Sequence, residues 1–381
     1  MSSISKAGQA LRTVAPSVGG ITPKSILARL DRISVWSLPF IFVGIIGTGF
    51  LFAFYDVFDI NVSFIQSCVA LKHGCTPANA VTALRVPVVL NLAGYVIGAL
   101  ILAQTSDRIG RRNMLLFTML LILLRLELPE SARWLVGQGR LVEADKVVSD
   151  MEVVAAKHGP LPPVPDDVPV DDMMPGRRLS FRALLSERLY VRRMVQLLGV
   201  WFLAYVTVFG FSAGLISMLV SLKYPPPEAG LITAIGAFGF LPCALFAVAF
   251  PDNIERKLWL PIGAVITVIG GVIVAEAGTT SLAIAFIGAA IVLVGFNIWV
   301  PMTYTLSTES FPTRARVTGF GVVDGVGHLG GGVGVLVIAP QIPNMTVLEA
   351  MLVVSGFLVL AAIVTQFSPN TRGRYYEEIS P

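Results

Sequence analysis

Eight blocks of roughly 20 consecutive, mainly apolar residues dominate this sequence and limit what the chain can fold into. A helix of that length crosses a hydrocarbon core about 30 Å thick, and in lipid the backbone must be hydrogen-bonded within helices or a closed barrel. The blocks lack the alternating pattern of a membrane barrel. The chain is 55% apolar and 14% charged, against roughly 45–50% and about 25% in soluble domains. The sequence therefore predicts an all-α, polytopic membrane helix bundle and excludes a soluble enzyme.

The distribution of basic residues predicts how these spans are oriented. Most lysines and arginines lie in alternate connections, which places both termini in the cytoplasm and the protein in the inner or plasma membrane. The first block predicts an uncleaved signal anchor. Because the basic residues surround the spans and form no patch, the expected surroundings are a lipid bilayer and no nucleic acid. The predicted spans are Trp36–Tyr55, Pro87–Gln104, Met194–Leu219, Ala229–Phe250, Leu258–Glu276, Leu282–Tyr304, Gly319–Ile338 and Val347–Phe367.

Four motifs lie at the polar ends of the spans. They are DRIGRR at 107–112, PESARWL at 129–135, ESFPTRARVTG at 309–319, and TRG at 371–373 followed by Glu377 and Glu378. A degraded copy of the first motif, DNIERK, follows the fourth span at 252–257. In order and context these motifs resemble those of the major facilitator superfamily, especially its sugar-porter-like and metabolite:proton symporter branch. The resemblance implies two helical halves that move a small molecule by alternating access.

The chain departs from this family between Arg112 and Pro129, where the third-to-sixth helix region is largely missing. The remaining interval has an apolar core of about 11 residues, or roughly 17 Å of helix, and then Arg125 and Glu127. We therefore expect an incomplete major-facilitator fold with about eight transmembrane helices and one short fused helix. The alternative is a ninth span that inverts the second half against its own charge bias.

The family organisation divides the chain into five parts. The expected parts are a cytoplasmic N-terminal arm at 1–35, a truncated N-terminal helical half at 36–128, a cytoplasmic linker at 129–193, a C-terminal six-helix half at 194–367, and a cytoplasmic tail at 368–381. The linker begins with an amphipathic helical pattern and continues into a Pro- and Asp-rich run that favours a flexible segment.

Ionisable residues inside a membrane are functional candidates because burying them is costly. Asp324 and His328 are four residues apart and share one helix face, so the carboxylate could hold the imidazole and exchange a proton with it. The alternative is a structural polar bridge within a glycine-rich helix contact. Asp56, near the outer end of the first span, matches an acidic position that the resemblance associates with proton or substrate coupling; it could equally be a solvated interfacial residue.

The first motif has the chemistry of a gate, because carboxylate and guanidinium groups at helix ends form bridges that break when two halves move. Its candidate residues are Asp107, Arg108, Gly110, Arg111 and Arg112. The pairs Glu130 with Arg133 and Glu309 with Arg316 resemble matching cytoplasmic clamps. Aromatic residues that could line a substrate cavity, or contact lipid instead, are Trp201, Phe202, Tyr205, Phe296, Trp299 and Tyr304.

The sequence thus predicts a secondary active transporter of a small metabolite, with protons as the coupling ion. The alternative is a transport-incompetent truncated protein derived from such a transporter. No nucleotide-binding motif and no metal-ligand spacing occurs, so no cofactor, no metal and no enzymatic activity are expected. The three cysteines predict no disulfide framework, and we expect them to be unpaired; the alternative is a bridge between Cys68 and Cys75, which lie in one short loop.

Overall fold

A computed structural model describes residues 21–33, 37–38, 67–68, 70–71, 73–74, 85–114, 129–164, 181–237 and 253–380 of the chain. The described residues fold into helices joined by turns. In chain order these are α1 (Pro23–Asp31), α2 (Arg85–Ile109), α3 (Ala132–Gly137), α4 (Leu141–Ala156), α5 (Phe181–Ser186), α6 (Arg188–Ser221), α7 (Pro226–Ala237), α8 (Trp259–Ala277), α9 (Leu282–Ile298), α10 (Val300–Glu309), α11 (Arg316–Gly327), α12 (Leu329–Val333), α13 (Val347–Thr365) and α14 (Tyr376–Ile379).

Six helical segments of the described chain are long and apolar enough to cross a membrane. Each of them overlaps a span predicted from the sequence. They are Val86–Ile109, Arg188–Ile216, Arg256–Ala277, Leu282–Glu309, Arg316–Asn344 and Val347–Thr365. The predicted span at 36–55 and most of the one at 229–250 lie outside the described residues. The structure confirms a membrane-type helix bundle.

The long α6 forms the centre of the bundle. It packs against α13 on one side and against α11 and α12 on another, while α8 packs along both α9 and α13. The largest fully buried side chains include Trp201, Trp259 and Trp299, which lie in one hydrophobic core with the apolar faces of α6, α8 and α9. By contrast, α2 lies at the edge of the bundle: it contacts the other described helices mainly through α11 and leaves many of its apolar side chains exposed.

The predicted span at 319–338 is not one regular helix. It is divided into α11, α12, a π-helical turn at 334–338 and a 3₁₀ segment at 339–344. Glycines permit the close approach of this segment to α6: a Cβ atom at Gly330 would collide with the carbonyl oxygen of Phe202, and one at Gly334 would lie 2.7 Å from that of Val206. Pro340 and Pro343 provide no backbone N–H, which favours the irregular ending.

A second, smaller core lies outside the spans. Ile26 and Leu27 of α1 pack on Leu135 of α3 and Val148 of α4, and all four side chains are buried. The segment at 23–31 thus forms a helix that is held against the beginning of the predicted linker. Elsewhere, Cys68 is disulfide-bonded, so the expectation of unpaired cysteines was wrong for this residue.

Candidate functional site

The end of α2 is joined to the start of α11 by Asp107. The backbone N–H and the hydroxyl of Thr318 each donate to Asp107 Oδ2 over 2.8 Å, and the N–H of Val317 lies 3.4 Å from Oδ1. These N–H groups belong to the first turn of α11, where helices leave donors unsatisfied. The N-cap residue of α11 is Ala315, whose side chain cannot accept a hydrogen bond. Asp107 therefore caps a helix that begins about 200 residues later in the chain.

Gly110 turns the chain after α2 with a φ of +99°, in the left-handed region that favours glycine. The carboxylate of Glu130 lies directly against this glycine, and the indole of Trp134 would be 3.4 Å from a Cβ atom there. Glu130 Oε1 accepts from the backbone N–H of Ser131 over 2.8 Å and lies 3.4 Å from that of Arg112. The motif at 129–135 is therefore packed directly onto the motif at 107–112.

The contact between Glu130 and Arg112 involves the residues on either side of the fused segment. Residues 115–128 lie outside the described part, but Arg112 before them and Glu130 after them are within 3.4 Å of each other. Arg112 and Glu130 consequently lie at the same end of the bundle.

The second half has a comparable junction around Glu309. This carboxylate is almost fully buried and lies 3.3 Å from Nε of Arg256, in the degraded copy of the first motif. The neighbouring Glu255 accepts a hydrogen bond from the backbone N–H of Thr371 over 3.0 Å, which attaches the tail motif to the same loop. Ser380 donates to the carbonyl of Glu309 over 2.7 Å. The tail is thereby fixed at this end of the bundle.

The remaining clamp and gate residues contact several elements at this end of the bundle. Arg133 forms an ion pair with Asp31 of α1. Arg316 lies 3.2 Å from the hydroxyl of Thr313, and Arg111 lies 3.5 Å from the carbonyl of Thr313. Arg108 has an exposed position at the end of α2. The gate and clamp motifs thus meet at one end of the bundle, but Glu130 binds backbone N–H groups of neighbouring motif residues.

Asp324 lies about two helical turns from the start of the long segment 316–344, at the contact between α11, α6 and α2. Tyr205 donates its hydroxyl proton to Asp324 Oδ1 over 2.6 Å, and the hydroxyls of Tyr205 and Tyr304 are 3.5 Å apart. The imidazole of His328 contacts the backbone carbonyl of Asp324 through Nδ1 at 2.8 Å. A tyrosine hydroxyl, rather than the imidazole, therefore forms the hydrogen bond to the carboxylate.

His328 is held between aromatic rings. It stacks on Tyr95 with ring centroids 4.1 Å apart and an interplanar angle of 9°, and it lies 3.9 Å from the ring of Tyr205. Tyr205 belonged to the aromatic residues singled out from the sequence, but Tyr95 did not. An isolated tyrosine in an apolar block gives no sequence signal, and only the packing of α2 on α11 brings it to the histidine.

A cavity of about 580 Å³ lies between α2 and α11. Its polar lining includes Asp324, Asn91 and Tyr95, and Ser106 lies beside the cap residue Asp107. Most of the remaining lining consists of small residues: Gly94, Gly98, Ala99, Ala103, Gly321 and Gly325. The cavity therefore connects the two groups of candidate residues, the capped helix end and the buried acid. Asp56 lies outside the described residues.

The same small residues determine how closely α2 and α11 approach. A Cβ atom at Gly321 would lie 2.5 Å from Cβ of Ala103, and one at Gly325 would collide with Cβ of Ala99. Gly321 and Gly325 thus allow a close contact between α2 and α11 beside the half-buried Asp324.

Comparisons with known proteins identify the family. The model of a family described as "Sugar (and other) transporter" matches residues 115–381. The niacin transporter NiaP of Acinetobacter baylyi is 27% identical over 266 residues, which are 66% of this chain and 56% of NiaP. The putative metabolite transport protein YdjK of Escherichia coli is 25% identical over 259 residues, which are 66% of this chain and 54% of YdjK. The chain spans about half the length of these curated relatives.

The fold is also similar to solved structures. A crystal structure of XylE with two introduced tryptophans aligns with a TM-score of 0.50 and 21% identity, and covers 70% of this chain and 56% of that one. The family match extends over well more than half of the sequence and includes three of the four motifs. The chain is a multi-pass membrane protein that belongs to the sugar (and other) transporter family of the major facilitator superfamily.

Proposed function

We propose that this chain is a secondary active transporter of a small metabolite, that it works by alternating access, and that protons drive it. The observation that carries the proposal is the Asp107 cap, which joins the end of α2 to the start of α11. This junction consists of hydrogen bonds, which can break and re-form as the helices move. Such a junction can close one end of a pathway and open again. The relatives NiaP and YdjK are named as transport proteins, which supports the same activity.

Asp324 is the proposed coupling residue. It lines the cavity between α2 and α11 and lies inside its helical segment, about two turns from the start. A carboxyl group there can carry a proton across the membrane, and the hydroxyl of Tyr205 fixes the position of the carboxylate. His328 stabilises the orientation of Tyr205 and Tyr95 by ring stacking.

The test is transport in proteoliposomes with an imposed pH gradient. The vesicles are exposed to a mixture of neutral, acidic and basic small metabolites, and their contents are compared with those of protein-free liposomes by mass spectrometry. We expect at least one compound to accumulate with the gradient and to equilibrate when a protonophore is added. Asp324→Asn should abolish accumulation, whereas Glu276→Gln, at an exposed span end, should not.

Two results of the proteoliposome assay would contradict parts of this proposal. If folded protein moves no compound faster than protein-free vesicles, the chain is the transport-incompetent alternative and the proposal is wrong. If Asp324→Asn still accumulates substrate with the gradient, transport stands but Asp324 is not the coupling residue.

We also propose that the protein lies in the cell membrane with both termini in the cytoplasm, on the basis of the charge bias of its connections. Single cysteines at Ser180 and Ser221, in a cysteine-free background, test this orientation in intact cells. An impermeant maleimide should label position 221 and not position 180. The reverse result would show that the second half is inverted.

A further inference from the structure

The spans of this chain contain an uncompensated acid. None of the eight spans predicted from the sequence contains a lysine or arginine, and the two other acids in them, Glu276 and Glu349, lie at span ends. Outside these spans, the fused segment carries Arg125 and Glu127, whose charges cancel. Asp324 is therefore an acid in the interior of the spans with no fixed cation to balance it. A charged carboxylate in such a place requires a counter-ion or a proton.

One group around Asp324, the imidazole of His328, can act as that counter-ion, and it does so only by binding a proton itself. The titratable side chains facing it are Tyr205 from α6, Tyr304 from α10, Tyr95 from α2, and His328 at the end of α11. The tyrosines are neutral hydrogen-bond donors. His328 is 6% exposed, is packed between the rings of Tyr95 and Tyr205, and directs Nδ1 at a backbone carbonyl. Within the described residues, a positive charge beside Asp324 therefore comes either from a proton bound by the Asp324–His328 pair or from a cation in the cavity.

The cavity favours a positive ligand over a negative one. The Asp324 carboxylate attracts a cation and repels an anion, and the ring of Tyr95 in the same lining stabilises a cation further. Gly94 and Gly98 in the cavity lining have nothing within 4 Å of an added Cβ atom, and this open part leaves room for a flat or compact organic group. Asn91 adds a neutral donor and acceptor.

We infer, building on the proposed transport function, that the substrate is a small organic cation that displaces the proton from Asp324 and is exchanged for it across the membrane. One carboxylate can be neutralised by one proton or by one monovalent cation. Each cation that binds therefore releases one proton, and the site has the same net charge in both loaded forms. A cycle of this kind moves one cation in one direction and one proton in the other.

The test is equilibrium binding to the purified full chain in detergent, with three aromatic probes of similar size and different charge. The probes are benzyltrimethylammonium, whose charge does not depend on pH, neutral benzyl alcohol, and benzoate. We expect benzyltrimethylammonium to bind with release of close to one proton per ligand in weakly buffered solution. Over the pH range in which Asp324 takes up a proton, its Kd should rise about tenfold for each pH unit of acidification.

Two variants separate charge from folding. Asp324→Asn should lose cation binding and proton release, whereas Asp324→Glu keeps the charge and should retain proton release with a changed Kd. Glu276→Gln serves as the matched control, because it removes an exposed carboxylate from a span end and should bind like the parent chain.

The outcomes distinguish the two proposals. The inference is overturned if none of the probes binds, if benzoate or benzyl alcohol binds as well as the cation, or if the cation binds without releasing a proton. Gradient-driven transport of another compound in proteoliposomes would still stand in that case. If the cation binds with proton release but is never moved across proteoliposome membranes, the binding inference is supported and the transport function fails.

Discussion

Replacing Asp107 by alanine should open the end of the bundle at which α2 and α11 meet. The substitution removes two acceptor contacts of 2.8 Å to Thr318 and leaves the first turn of α11 without a cap. Loss of a helix cap costs about 0.5–2 kcal/mol, and a hydrogen bond to a charged group is worth roughly 1.5–3 kcal/mol. Because Asp107 is half-buried and water replaces part of the interaction, we expect a net loss of about 2 kcal/mol.

This loss changes the population of the open state if the cap exists only when the helix ends are together. A difference of about 2 kcal/mol corresponds to a roughly 30-fold shift in the equilibrium constant. The assay is maleimide labelling of Ser106→Cys in purified, otherwise cysteine-free protein. Ser106 is 5% exposed and lines the cavity beside Asp107, so labelling requires opening. The labelling rate should rise by about the same factor in the Asp107→Ala background.

Two controls make this result specific. A cysteine at the exposed Arg108 should react at the same rate in both backgrounds. Asp107→Asn, which keeps an acceptor oxygen but loses the charge, should give an intermediate rate. A change of less than twofold at Ser106→Cys in folded Asp107→Ala protein would refute the idea that this cap holds the helix ends together.

Three further predictions concern packing, ionisation and buried charge. Gly325→Leu should lower the free energy of unfolding by about 1–3 kcal/mol, because the leucine side chain would enter the α2–α11 contact. Its Tm in detergent should therefore fall, whereas the Tm of Gly94→Leu should not, because an added Cβ atom at Gly94 has nothing within 4 Å. Burial raises the pKa of the Glu152 carboxyl, but hydrogen bonds from Arg29 of α1 and from Arg32 just after it outweigh this and hold the pKa below its usual value. The docking of α1 should therefore weaken as pH falls through this lowered pKa, which limited proteolysis measures, and docking of Glu152→Gln should be pH-independent in this range. Arg256→Ala should lower the Tm by leaving Glu309 buried without this partner, and Glu309→Gln should restore part of it.

The bundle was predictable from the sequence because each span carries its own signal. A helix in lipid must satisfy its backbone internally, so length and apolar composition are enough to locate α2, α6 and α8. The subdivision of segment 316–344 was not predictable, since it depends on which glycines approach the carbonyls of Phe202 and Val206 on α6.

The site was only partly predictable for a similar reason. A motif pointed to Asp107 and the position inside a span pointed to Asp324, but their hydrogen-bond partners come from helices distant in the sequence. Thr318 lies in another motif and Tyr205 is one of the aromatic candidates, but only tertiary packing brings them to the two carboxylates. The spacing of Asp324 and His328 correctly placed them one helical turn apart. Spacing alone could not show that the tyrosine reaches the carboxylate.

The junction formed by Asp107 and Glu130 and the junction around Glu309 are held by different interactions. This difference determines which of the two junctions opens more easily. Glu130 accepts backbone N–H groups, which water can satisfy when the loop separates, so opening there leaves no unpaired charge. Glu309 is only 4% exposed at its side chain and lies 3.3 Å from Arg256. Leaving one charge of a buried ion pair without its partner costs about 3–5 kcal/mol, more than the loss expected at Asp107. The junction formed by Asp107 and Glu130 should therefore separate while the Glu309 junction and the tail remain in place, which makes the second half the fixed body of the movement and α2 the moving one.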